Sequence, residues 1–192
     1  MSGWWAVSYV ALWILVGVLC IIVVALARQI GTLHLRLGPR GALEMDDEGP
    51  SLGEGRPPIS GQDLEGNAVT VGGQGSEQFL LFVSPGCMVC EQVMPSVGAV
   101  AQATGKQPLV LTDLDEVETR LAFQHKRVAA PIVPSGESFS TYEVPGTPYV
   151  VVLDDKGVVQ AKGTVNNLEQ MEGLIETAQR REREMADGRR AS

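Results

Sequence analysis

The sequence predicts an α/β domain, a three-layer sandwich, preceded by a single N-terminal transmembrane helix. Two patterns point there: an uninterrupted apolar run at the start of the chain, and beyond it short apolar segments alternating with helical ones. Composition agrees, since 44% of the 192 residues are hydrophobic and 20% charged, which is the globular range and excludes a disordered chain. Lys and Arg total 15 against 23 Asp and Glu, a net charge of −8, so nucleic-acid phosphates are repelled and no nucleic-acid partner is expected. Three Cys permit at most one intrachain pair and exclude a disulfide scaffold.

Residues 1–3 are a short tip. From Trp4 to Ala27 the chain reads WWAVSYVALWILVGVLCIIVVALA, with no charged side chain. At about 1.5 Å per residue this run extends roughly 36 Å, enough to cross a hydrocarbon core of about 30 Å. Ala25-Leu26-Ala27 resembles a cleavage site. The basic n-region and short apolar core of a signal peptide are missing, so the helix is expected to remain as a membrane anchor. Arg28, Arg36 and Arg40 follow it, and the positive-inside bias taken alone places the rest of the chain in the cytoplasm. Residues 28–58 read as a juxtamembrane helix extension, with Ile30, Leu33 and Leu37 at helical spacing until Gly38-Pro39, and then a Gly/Pro linker made soluble by Glu44, Asp46, Asp47 and Glu48.

Residues 59–184 are long enough to bury a core. Gln78 to Val83 (QFLLFV) reads as a buried strand, Cys87 to Ala103 as a helix, Pro108 to Thr112 as a second strand and Glu116 to Arg127 as a helix. Tyr149 to Leu153 (YVVVL) is a third strand, which Asp154-Asp155-Lys156-Gly157 turns into Val158 to Thr164. Asn167 to Arg183 closes the domain as a charged amphipathic helix, and residues 185–192 form a charged tail whose interleaved acids and bases describe a solvated helix end.

The chemistry is concentrated at Cys87-Met88-Val89-Cys90. The motif follows a strand through a Ser84-Pro85-Gly86 turn and opens a helix. Unsatisfied N–H groups and the macrodipole at such a terminus favour an anion, so Cys87 is expected to be a stabilised thiolate and the nucleophile. Cys90, one turn inside, is expected to be shielded. Residues at i and i+3 share a helix face and can close a small disulfide ring, so Cys90 is the resolving partner of a mixed disulfide formed at Cys87.

Two prolines sharpen the reading. Pro95 stands five residues after Cys90 in the same helix, as a structural kink, and Thr147-Pro148 immediately precedes a strand. A strand, C-x-x-C at a helix start, a proline five residues on and an X-Pro before a later strand resemble the thioredoxin pattern. That resemblance implies a thioredoxin-like sandwich in which Pro148 is cis, faces the sulfurs, and sits beside a Thr147 backbone offered to a substrate chain. PPISGQDLEGNAVTVG resembles the lead-in of the membrane-anchored TlpA/ResA branch. The ALARQIGTLHLRLGPRGAL, SPGCMVC and AKGTVNNLEQMEGL segments are similar to the MauD family of methylamine-utilisation accessory proteins. The family resemblance implies a thiol-disulfide oxidoreductase assisting disulfide formation in the small subunit of methylamine dehydrogenase, with a MauE-type membrane protein as redox partner. No cofactor is implied beyond the Cys87/Cys90 dithiol. It also implies an exported domain, so the domain is expected on the extracytoplasmic side of the cell membrane, against the positive-inside bias.

The sequence departs from that pattern in places. Relatives often carry Pro after the first Cys, where this chain has Met88, and QFLLFV lacks the buried Asp that accepts protons in thioredoxin. Glu91 adjoins Cys90 but, one step along a helix, need not face the sulfurs. A zinc site would need four ligands, and beyond the motif only Cys20, His34 and His125 remain as nitrogen or sulfur donors, so no metal is expected. A peroxiredoxin site is also not expected, because neither motif Cys has the Pro and Thr upstream that such a site resembles. The alternative to an enzyme is a membrane-tethered assembly chaperone that uses a thioredoxin-like surface without redox turnover.

Overall fold

The computed structural model describes residues 3–36, 48–75 and 77–190. The chain forms two units, Met1–Pro39 and Arg40–Ser192. In the first, helix α1 spans Gly3–Arg36. Its segment Gly3–Val23 has a mean hydropathy of 2.7 and is long and apolar enough to cross a membrane. Leu37 and the first half of the expected linker, 38–47, lie outside the described residues.

The second unit is built on β3 (Gln78–Val83), β4 (Gln107–Thr112), β5 (Ile132–Pro134), β6 (Tyr149–Leu153) and β7 (Val159–Thr164), in spatial order β5-β4-β3-β6-β7. Strands β3, β4 and β5 run parallel, and β6 and β7 are antiparallel to their neighbours. A separate hairpin pairs β1 (Ile59–Gln62) with β2 (Ala68–Val71).

Every residue of β3 is buried, as a central strand covered on both faces must be. Alternation divides its side chains between layers. Phe79, Leu81 and Val83 face one core, and Leu80 and Phe82 the other. The first core is closed by α2 (Met88–Val93), α3 (Val97–Thr104), Phe123 of α4 (Glu116–Phe123) and α6 (Leu168–Arg190). On α6, Met171, Leu174, Ile175 and Ala178 recur at the i, i+3, i+4, i+7 spacing of a single apolar stripe. Lys106, 1% exposed at its side chain, ties this helix down by donating to Glu77 (2.6 Å) and Glu182 (3.1 Å). The second core is covered by the hairpin, α5 (Gly136–Thr141) and Tyr142, with Phe82 edge-on to Phe139 at 5.1 Å. Buried Gln78 fastens the hairpin to the sheet by donating to the Thr70 carbonyl (2.8 Å) and accepting from Gly72 N–H (2.7 Å).

Several expectations are corrected. The helix expected over 87–103 is not continuous: Met94–Ser96 is a 3-10 turn, because Pro95 has no N–H to continue the ladder. The helix expected to reach Arg127 stops at Phe123. Residues 185–190 are not a separate tail but the last turns of α6. The expected linker ends earlier than 58. Gly53 N–H donates to Val159 O (2.8 Å), Val159 N–H to Glu54 O (3.0 Å), and Gly55 bridges to Val158, so this stretch covers the β7 edge. Elements β1, β2, β5 and α5 had no counterpart in the sequence reading.

Asp63 and Tyr142 make the stability of the fold depend on pH. The Asp63 carboxylate accepts from Nδ2 of Asn67 and from the backbone N–H of Asn67 and Glu65. The Asn67 side chain is the largest influence holding Asp63 below its ordinary 3.8, and burial opposes it. A lowered value stabilises the fold above the ordinary value, and that stabilisation is lost as pH falls through the folded one. Asp63→Ala should therefore flatten the loss of stability below about pH 4, read by denaturant titration of the detergent-solubilised chain. Tyr142 is fully buried, and among the described residues its hydroxyl has no hydrogen-bond partner. Burial pushes it up to about 12, partly opposed by Arg56. Between about pH 10 and 12 the folded chain keeps a proton that the unfolded chain has released, so stability should fall by about 2–3 kcal/mol across that window. Tyr142→Phe should abolish this alkaline loss and add about 1 kcal/mol at neutral pH, by removing an unsatisfied hydroxyl.

Candidate active site

Strand β3 delivers the chain to Ser84-Pro85-Gly86, where Gly86 adopts φ +79°. A positive φ costs glycine nothing, and the chain reverses into α2. Cys87 caps α2 in extended conformation (φ −76°, ψ 106°), and its sulfur accepts the Cys90 backbone N–H at 3.2 Å. Cys87 and Cys90 are joined by a disulfide, with Cα atoms 5.2 Å apart. The sulfurs are not equivalent: Cys87 is half-buried, whereas Cys90 is 1% exposed and packed in the first core. Between them Met88 stands 78% exposed.

Facing this helix start is the loop before β6. The Thr147–Pro148 peptide bond is cis. Pro148 is buried, and its carbonyl accepts from Val165 N–H at 3.2 Å. The Thr147 carbonyl oxygen lies 3.7 Å from Cys87 Sγ. Sixty residues of chain separate these two groups, and the β3–β6 register, which sets Phe82 opposite Tyr149, brings them together. A thiolate at Cys87 would be favoured by the Cys90 N–H directed at it and by the start of the helix behind that N–H.

The other sequence candidates fall into place around this pair. Pro95 is exposed within the 3-10 turn, away from the disulfide-bearing end of α2. Glu91 is engaged by Lys126 Nζ at 2.9 Å. Cys20 is a free, exposed thiol on α1. Among the described residues no group of three or more His, Cys, Asp or Glu side chains is arranged to hold a metal ion. The sequence reading missed the acids beside the motif. Ser84 Oγ meets Asp113 Oδ1 at 3.4 Å, and Asp113 lines an open cleft of about 720 Å³ with Asp63, Asp115 and Glu116. Asp113, Asp115 and Glu116 sit together where β4 passes into α4, whereas Asp63 comes from the β1–β2 turn, so its approach to the other three left no signal in local sequence.

A disulfide with one accessible sulfur at a helix start, opposed by a cis-proline loop on the neighbouring strand, defines the thioredoxin-like thiol-disulfide oxidoreductases. A family model described as a thioredoxin-like domain matches residues 64–179. Methylamine utilization protein MauD of Paracoccus denitrificans is 32% identical over 180 residues, covering 92% of this chain and 90% of that protein. MauD of Methylobacillus flagellatus is 37% identical, covering 92% and 87%. The chain belongs to the MauD family. The domain also superposes on a putative thiol:disulfide interchange protein DsbE from Chlorobium tepidum (TM-score 0.58, 19% identity, covering 69% of this chain and 98% of that one). The thioredoxin domain of a Bacteroides vulgatus thiol-disulfide oxidoreductase gives a TM-score of 0.55 at 20% identity, covering 67% and 98%. At these identities the two likenesses speak for the fold.

Proposed function

We propose that the protein is a membrane-anchored catalyst of disulfide exchange in methylamine utilisation, with Cys87 as nucleophile, Cys90 as resolving thiol, and Thr147 and Pro148 as the edge against which a client strand lies. The observation that carries this reading is the unequal burial of the two sulfurs, with the accessible one beside the Thr147 carbonyl. In the oxidising direction a client thiolate attacks Cys87 Sγ. The Cys87–Cys90 bond breaks, and Cys90 leaves as a thiolate and takes up a proton. A second client thiol then loses its proton and attacks the client sulfur of the mixed disulfide, which closes the client disulfide and expels Cys87 as a thiolate. Two electrons pass from client to protein, and the reverse sequence reduces a client. The electron pair resides on the sulfurs, so no separate cofactor is invoked.

The name shared by the relatives supports a client in methylamine metabolism, and the small subunit of methylamine dehydrogenase is the proposed one. A membrane protein of the MauE type is the proposed electron-exchange partner, with the domain on the extracytoplasmic face. Cys87→Ser should abolish client maturation, and Cys90→Ser should accumulate a client adduct resolvable by reducing-agent release and mass spectrometry. Maturation that survives the double Cys→Ser change would instead favour a chaperone without turnover. For orientation, a C-terminal tag should be digested by protease added to intact cells or spheroplasts, and its protection would place the domain inside.

A further inference from the structure

We propose that the juxtamembrane segment Glu48–Gly55 is a positioning element for the client-binding edge, acting on Thr147 and Pro148 through Tyr149. Its composition, acidic and rich in Gly and Pro, describes a spacer, yet the domain holds it at both ends. At its far end the segment joins the β7 edge through the Gly53, Glu54 and Gly55 backbones. At its near end the Glu48 carbonyl accepts from two side chains of the sheet, Lys162 Nζ at 2.8 Å and the Tyr149 hydroxyl at 3.2 Å. Lys162 is 1% exposed. An ammonium so enclosed is tolerated only where acceptors meet it, so this carbonyl is not an incidental neighbour.

The near end is also fitted sterically. Gly49 has φ +78°, and a Cβ there would collide with the Tyr149 hydroxyl. Pro50, the next residue, is buried. Only glycine lets the chain turn at this point and lie against the phenol.

Tyr149 gives the contact its consequence, because it is the first residue of β6 and directly follows the cis-proline. On its N-terminal side the chain leaves the sheet through exposed Pro145 and Gly146, so the loop bearing Thr147 is held from its C-terminal side. There the fastenings are the Val165 N–H on the Pro148 carbonyl, the pairing of Tyr149 with Phe82 and Thr164, and the Glu48 carbonyl on the Tyr149 hydroxyl. The last of these comes from the tether. Displacing the segment would leave both sulfurs in place while loosening the backbone that a client strand must meet, and small losses of orientation are expressed in binding of the reacting chain.

The inference rests on Cys87 and Cys90 being the redox pair, and the test separates the two. Lys162→Met removes the ammonium donor, and Gly49→Ala forces the segment away from Tyr149. Full-length variants in detergent, with glutathione disulfide supplied to regenerate the Cys87–Cys90 disulfide after each turnover, are compared with the unaltered protein in three measurements: hydrogen exchange of residues 48–55, oxidation of dithiothreitol, and oxidation of a dithiol peptide. The expected result is faster exchange at 48–55 and a KM for the peptide raised at least threefold with kcat little changed, while the dithiothreitol rate stays within a factor of two. Faster exchange with an unaltered peptide KM overturns the proposal, as do unchanged exchange in both variants or an equal fall in both oxidation reactions. An unaltered protein that oxidises neither substrate refutes the redox reading itself.

Discussion

Antiparallel pairing of β3 with β6 sets the end of one strand beside the beginning of the other, and the disulfide and the cis-proline loop occupy those two places. Gln78 lies opposite Leu153 and Phe82 opposite Tyr149. Because side chains alternate faces, a slip of one residue would turn Val150 and Val152 out of the first core and carry Thr147 away from Cys87. Register is therefore held by hydrophobic burial on both faces of the sheet, and the geometry at the sulfurs is inherited from it. The residues that meet across the site need no direct attraction to find one another.

Much of this was legible in the chain. The runs QFLLFV and YVVVL declare their strands because a fully buried strand has nearly only apolar residues to offer, and the C-x-x-C and Thr147-Pro148 sites were located by their position relative to those runs. Strand β5 was not legible, since Ile132–Pro134 is three residues long and bounded by Pro131 and Pro134. Helix α5, GESFST, has six residues of weak helix propensity and exists because Phe139 packs on Phe82 and Ser135 caps its start. Hairpin strand ISGQ carries a single buried apolar side chain, Ile59, and reaches the sheet through its partner β2, whose Thr70 carbonyl accepts from the Gln78 side chain. The same limit hid the role of Glu48. An acidic, Gly-Pro stretch reads as spacer from composition, and only the folded sheet shows a lysine and a tyrosine waiting for its carbonyl.

Two buried lysines illustrate how charge is used in a chain of net charge −8. Lys106 and Lys162 are each about 1% exposed, one gripping two carboxylates at the base of the sheet and the other a backbone carbonyl at its edge. Desolvating an ammonium is costly, and each site supplies acceptors that offset the cost. Both fasten peripheral elements, α6 and the segment Glu48–Gly55, to a sheet whose own cohesion is apolar. Beside the disulfide the arrangement differs: Glu91 and Lys126 pair at the surface, and Cys87 Sγ meets two backbone groups, the Cys90 N–H and the Thr147 carbonyl.

The enclosure of Cys90 gives the chemistry a fixed order of events. Within the redox pair any adduct, whether with a protein, a small thiol or an alkylating reagent, must hang from residue 87, because the other sulfur offers no approach from solvent. A mixed disulfide held there has two ways to end: attack by a second thiol of the client, or ring closure from Cys90, three residues away on the same helix. Ring closure is a first-order clock, and its own rate is indifferent to the concentration of surrounding thiols.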